Sequence, residues 1–159
     1  MDTFLNGLFQ GLRGSADRRF ELCAPVTGTV YADEDRIAQV IRNLTGNAIE
    51  HTAPGGLVRL RAEARGERLE LAVEDDGPGI PEAERERIFD RFHRTDSSRS
   101  RSLGGSGLGL AIARAIVLAH GGRIWADHSP ECGARVALEL PLFAGPVSAV
   151  SGGLRPDEI

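Results

Sequence analysis

The chain of 159 residues has room for one hydrophobic core but not two, and its 41% apolar and 26% charged content is that of a soluble globular domain. A formal net charge of −4 argues against general binding to nucleic acid, and no apolar run approaches the about 20 residues of a membrane span. All 19 basic residues are arginine, so the chain has neither the lysine of a Walker A loop nor the strand lysine of the protein kinases.

In chain order, residues 2–14 predict a short helix with Phe4, Leu5, Leu8 and Leu12 on one stripe. Residues 18–25 and 28–33 read as strands divided by a Pro-Val-Thr-Gly turn. Asp33 offers an N-cap, with Glu34 and Asp35 in the first turn, to a helix over 34–52 whose apolar face is Ile37, Val40, Ile41, Leu44 and Ala48. Pro54 forbids its continuation. Residues 57–65 and 68–75 alternate as a hairpin around Gly66-Glu67, and 81–89 reads as a short helix opened by Pro81. Residues 90–106 are polar, rich in Ser and Arg and without periodicity, which predicts a mobile loop longer than the about 12–15 residues usual in a compact domain. A helix over 107–120 stops at Gly121-Gly122, and residues 123–129 and 134–142 form a last pair of strands. The expected domain is 1–143, with 144–159 as a flexible tail. Cys23 and Cys132, each alone in an apolar run, read as buried thiols of a reducing compartment, with a disulfide as the alternative, and the amino terminus has no signal-peptide pattern. Strands arriving mostly as hairpins, with helices between them, predict an α/β two-layer sandwich: a mixed, largely antiparallel sheet covered on one face by helices.

Several constellations carry chemistry. The run Gly104–Leu110, "GGSGLGL", meets a helix start, where bare N–H groups serve an anion if no side chain blocks them. A dinucleotide-binding turn would need a strand before it, and "RTDSSRSRSL" is not one. Taken alone, the run reads equally as a flexible linker. "EDDGPGI" brings Asp75 and Asp76 to a strand end beside Gly77 and Gly79, where a carboxylate can accept from a ligand amino group and glycine lets a flat ring approach; an isolated polar turn has the same composition. Asn43 and Asn47, four apart, share one side of a helix, and an amide oxygen suits Mg²⁺, although solvated amides share this spacing. Arg91, Arg94, Arg99 and Arg101 place cations on the loop before the glycine run, where they could clamp a triphosphate, although a charge run equally makes a solvated face.

The order "NLTGNAIEHT", "DDGPGI", "IFDRFHR", "GGSGLGLAIARAIV", "HGGRIW" resembles the successive boxes of the ATP-binding catalytic domain of bacterial sensor histidine kinases, members of the GHKL ATPase superfamily. The resemblance runs from Phe4 to Leu142. It implies the histidine-kinase ATPase fold, with ATP and Mg²⁺ as cofactors and transfer of the γ-phosphate to a histidine. By that resemblance Asn47 is the Mg²⁺ ligand and Asn43 faces the phosphates. Asp75 accepts the adenine amino hydrogen, with Gly77, Gly79 and Ile80 shaping its pocket. Phe89 and Phe92 anchor the base of a lid, Phe92 at the nucleotide, and Arg94 reaches the terminal phosphate. Gly105, Gly107, Leu108 and Gly109 give their backbone to the phosphates.

Two positions depart from the family pattern. Glu50 stands where the family often has a basic residue, and is expected to turn outward; His51 stands where the family often has tyrosine, and is expected to stack on the base with less area. His51, His93, His120 and His128 are followed by Thr52, Arg94, Gly121 and Ser129, none of them the acidic neighbour of the family's acceptor histidine. The resemblance therefore implies an acceptor on a separate dimerisation domain of the parent kinase, which in turn supplies a response regulator. The chain is then expected to be a monomeric cytoplasmic domain, with no nucleic-acid partner, of a parent anchored in the membrane. The rivals are a related superfamily ATPase, such as an anti-sigma-factor serine kinase or a gyrase-like machine, and a non-catalytic nucleotide-binding module.

Overall fold

Helix formation in the middle of the chain begins at Asp33, whose carboxylate accepts the N–H of Arg36 at 3.1 Å and so satisfies one of the donors a helix start leaves open. The helix that follows, α2 (Glu34–His51), buries Ile37, Val40, Ile41, Leu44 and Ala48, the face that its 3.6-residue period predicts. The computed structural model describes residues 1–14, 16–93, 107–130, 133–141 and 143–144. Arg94, Gly105, Cys132, the rest of the arginine-bearing segment 94–106 and the tail 145–159 lie outside the described residues.

Besides α2, the layer of helices holds α1 (Asp2–Leu12) and α3 (Gly109–Ala119). The main sheet is built from β1 (Arg19–Cys23), β3 (Leu57–Arg65), β4 (Arg68–Asp75), β5 (Arg123–His128) and β6 (Ala134–Leu140), in the order β1-β3-β4-β6-β5. β1 runs parallel to β3, and the crossover between them carries α2; every other pairing is antiparallel. The hairpin β3–β4 closes at Arg65↔Arg68, with Gly66 at φ +62°, a left-handed turn position that glycine fills without strain. Alternation puts Val58, Leu60, Leu71, Val73, Val136 and Leu138 under the helices, all at most 4% exposed, so the sandwich is the predicted one.

The opposite face of the sheet is charged and orderly. Across the five strands the register aligns Glu21, Arg59, Glu74, Arg135 and Asp127. Arg59 lies 2.9 Å from Glu21 and 3.5 Å from Glu74, and Arg135 lies 3.4 Å from Glu74 and 2.9 Å from Asp127. Glu74 is only 2% exposed, so its charge is tenable because arginines flank it on both sides.

The structure amends four expectations. The stretch 28–33 contributes only β2 (Thr29–Val30), which pairs with β7 (Phe143–Ala144) in a separate two-stranded sheet; Ala144 thus sits in a strand. Residues 81–89 form two single 3₁₀ turns, Glu82–Glu84 and Arg87–Phe89, because Ile88 and Phe89 alone have a core to enter and one turn suffices to aim them there. α3 starts at Gly109 rather than at 107, since Gly107 has φ +67°, outside the helical region. Cys23 is exposed, at the end of the edge strand β1.

Candidate functional site

The seam between α2 and α3 is closed by Asn43, whose Nδ2 donates to the carbonyl of Gly109 at 2.9 Å. The amide nitrogen of Asn43 is therefore committed to the first turn of α3. One turn further along α2, Asn47 is half-buried, and no described residue hydrogen-bonds its side-chain amide. The start of α3 contrasts with that of α2. Leu108 stands at the cap without a side-chain hydrogen bond, and the first turn has no acidic residue. Among the described residues, no side chain caps the N–H groups of this first turn, and they lie at the positive end of the helix dipole, a setting that can receive an anion.

Phe92 and Gly107 are stitched together. The Phe92 N–H donates to the Gly107 carbonyl at 3.1 Å, and a Cβ on Gly107 would lie 3.1 Å from the Phe92 Cα. Phe92 itself has φ +61°, a strained value for a bulky residue, and is 71% exposed. Its backbone does the anchoring, while Phe89 is buried in the core at 6%. His93, beside it, places Nε2 at 2.8 Å from the Glu84 carboxylate.

The other end of the site is built at the end of β4. Asp75 is 4% exposed, and its Oδ1 accepts the N–H of Gly77 at 2.9 Å and of Ala134 at 3.1 Å. Burial pushes its carboxyl above the ordinary aspartate range, against the pull of those two N–H groups and of His51; Asp76 adds to the upward push. Of the two neighbouring aspartates, then, Asp75 is the buried one. Asp76 is exposed, and its Oδ1 accepts the N–H of Leu57 at 2.9 Å, closing the start of β3.

Glycines make this packing possible. A Cβ on Gly77 would lie 2.7 Å from the His51 carbonyl oxygen and 3.0 Å from Asp75 Oδ1, and one on Gly133 would overlap the Asp75 carbonyl oxygen. Gly79 turns at φ +77°, and Ile80 beyond it is buried at 9%. His51 is half-buried and places Nδ1 at 2.8 Å from the Asn47 carbonyl. Since a carbonyl only accepts, Nδ1 carries the proton and the ring is tied to the last turn of α2. Glu50 is half-buried.

The described members of the predicted site thus fall into two clusters joined by α2, with Asn43, Phe92, Gly107, Leu108 and Gly109 at the α3 start and His51, Asp75, Gly77, Gly79 and Ile80 at the β4 end; Asn47 lies on α2 between Asn43 and His51. Gly133 and Ala134 escaped the sequence reading. Their signal was faint, a single glycine before the strand "ARVALEL".

Residues 32–144 match the family described as histidine kinase-, DNA gyrase B- and HSP90-like ATPase. The chain is 40% identical over 136 residues to the signal transduction histidine-protein kinase BaeS of Escherichia coli K12, an alignment that covers 86% of this chain and 29% of BaeS. The mycobacterial sensor histidine kinase MprB superimposes with a TM-score of 0.80 at 32% identity, over 91% of this chain and 97% of that one. Full-length ShkA, solved in complex with AMPPNP, superimposes with a TM-score of 0.73 at 31% identity, over 89% of this chain and 30% of that one. Among the described residues, no helix is long and apolar enough to cross a membrane.

Proposed function

Because this chain belongs to the histidine kinase-, DNA gyrase B- and HSP90-like ATPases, as a sensor-histidine-kinase catalytic domain, we propose that it binds Mg²⁺-ATP and donates the γ-phosphate to a histidine on a separate dimerisation domain, from which a response regulator is charged. The observation that carries this reading is the buried Asp75 carboxylate. Two backbone N–H groups hold its Oδ1, which leaves Oδ2 to accept the adenine amino hydrogen. Gly77 and Gly79 keep the wall bare for a flat ring. The open N–H groups at the start of α3, with Gly107 and Gly109, receive the phosphates, and Asn43 holds α2 and α3 in register beneath them.

The donor set fits Mg²⁺ used in the nucleotide-bound manner. Among the described residues no three His, Cys, Asp or Glu side chains could hold a metal by themselves. The Asn47 amide is uncommitted among those residues, and Mg²⁺ takes one or two protein oxygens and completes its shell with phosphate and water. Bound there, the ion would neutralise phosphate charge during transfer. Arg94 supplies a second cation to the γ-phosphate by the family resemblance, and Gly105 completes the phosphate loop. The acceptor histidine and the base that activates it come from the separate domain; the parent anchors this domain on the cytoplasmic side of a membrane.

Titration with ATP and GTP, each with and without Mg²⁺, tests the binding. ATP is expected to bind and GTP, which presents a carbonyl where adenine presents an amino group, to bind poorly; equal curves overturn the assignment. Incubation with γ-labelled ATP and the parent's acceptor domain tests the transfer. Acid-labile label is expected on the acceptor domain alone. ATP binding with no label on it would reduce the chain to a nucleotide-binding module.

A further inference from the structure

Arg18 lies outside every motif of the chain, in the connection that leads into β1, yet its guanidinium is half-buried against the carboxyl end of α2. Nε donates to Thr52 Oγ1 at 2.8 Å, and Nη2 donates to the carbonyls of Ile49 at 3.0 Å and Thr52 at 2.7 Å. Nη1 donates to the Asp17 carbonyl at 2.7 Å. The Ile49 and Thr52 carbonyls lie at the carboxyl end of α2, where a helix leaves such groups without internal partners, at the negative end of its dipole. Thr52 is 2% exposed, and its hydroxyl, while accepting from Arg18, donates to the Ala48 carbonyl at 2.9 Å. The backbone fastens the same two segments, Gly55 N–H to the Asp17 carbonyl at 2.9 Å and Arg19 N–H to the Gly56 carbonyl at 2.8 Å.

The turn so held includes His51. Its carbonyl oxygen abuts Gly77 so closely that a Cβ there would lie 2.7 Å away, and the Gly77 N–H is one of the two donors that set the Asp75 carboxylate, at 2.9 Å. A short chain of direct contacts therefore runs from Arg18 through the last turn of α2 and Gly77 to Asp75. We propose that Arg18 is a positioning residue for the base end of the nucleotide site: it locks the last turn of α2 so that His51 and Gly77 hold Asp75 in the orientation that reads adenine. Without the guanidinium, the Ile49 and Thr52 carbonyls and the Thr52 hydroxyl lose the hydrogen bonds Arg18 gives them, and the turn that presses on Gly77 is free to relax. Among the described residues Arg18 touches no part of the phosphate end, so its influence falls on recognition of the base. This rests on the nucleotide-site reading above.

The test is calorimetric titration of the whole chain with ATP, ADP and GTP, well below the melting temperature, on wild type, Arg18→Ala, Arg18→Lys and Leu5→Ala. Leu5 is fully buried in α1 and serves as a control for lost stability alone. Arg18→Ala is expected to raise the ATP and ADP dissociation constants together by about tenfold and to narrow the preference for ATP over GTP. Arg18→Lys, which keeps a cation at the helix end, is expected to recover most of the loss, and Leu5→Ala to keep the wild-type constants. Where Arg18→Ala does not fold, Thr52→Val, which removes the acceptor of Nε and keeps the side-chain shape, is expected to show the same signature at about threefold. Wild-type affinity and base preference in the folded Arg18 or Thr52 variants, or an equal loss in Leu5→Ala, would overturn the proposal. A wild-type chain that binds neither ATP nor GTP would overturn the nucleotide reading, and this inference with it.

Discussion

Replacing Asp75 by asparagine separates what this residue does for binding from what it costs the fold. Oδ1 faces two N–H donors, from Gly77 at 2.9 Å and Ala134 at 3.1 Å. Only an oxygen can sit there, so the asparagine carbonyl takes that place and its amide nitrogen is forced into the position of Oδ2. The pocket then presents a donor to the adenine amino group, itself a donor. Losing a hydrogen bond to a charged acceptor removes about 1.5–3 kcal/mol, and the facing donors press the effect to the upper end, so ATP affinity is expected to fall by about 100-fold.

Stability should move the other way. Burial is the main reason the carboxyl stands above its ordinary range, and asparagine has no charge to desolvate. Because the native state holds the Asp75 proton to higher pH than the unfolded chain does, the wild type loses stability as pH rises through that window, and the variant does not. The Asp75→Asn melting temperature should therefore exceed the wild-type value at neutral pH, and the gap should shrink as pH falls toward the ordinary aspartate range. Titration calorimetry for ATP and melting curves across that pH range measure both halves. Undiminished ATP binding, or a variant that melts lower by the same margin at every pH, would refute the reasoning.

Gly133→Ala should destabilise the fold by about 3 kcal/mol, since the new Cβ overlaps the Asp75 carbonyl oxygen, whereas Gly109→Ala, whose Cβ meets Asn43 at 3.7 Å, should melt close to wild type; denaturant titration of the pair checks this. Asn47→Ala should abolish most of the Mg²⁺ enhancement of ATP binding, read as the difference between titrations with Mg²⁺ and with EDTA; an enhancement of wild-type size would count against the ligand assignment. For Glu139, burial alone would raise the carboxyl, but hydrogen bonds from Arg123 and Arg68 outweigh it and hold it below the ordinary range. Its contribution is present above the ordinary range and lost as pH falls below it toward the lowered native value, so Arg68→Met should move acid unfolding, followed by circular dichroism, to higher pH.

What the sequence determined by itself is what nearest neighbours along the chain decide. Asp33 caps α2 because its side chain reaches only as far as Arg36, and the β3–β4 hairpin follows from alternation around a glycine turn. The order of the motifs placed the chain in its family and brought Asn47, Asp75 and the glycine box into view. What tertiary structure alone decided depends on partners far apart in sequence. Asp75 rather than Asp76 is the buried carboxylate because the N–H of Ala134, on β6, arrives beside it. Glu74 alternates like a solvent-facing residue, yet it is sealed between Arg59 and Arg135 because strand register brings both arginines beside it. Cys23 lies in an apolar run but on an edge strand, where it is exposed among the described residues. Arg18 gives no sign in sequence of its hold on Thr52, which lies 34 residues away. Local rules read dihedrals and periods from adjacent side chains; burial, a shifted carboxyl and a capped helix end are set by whichever group the fold delivers from elsewhere.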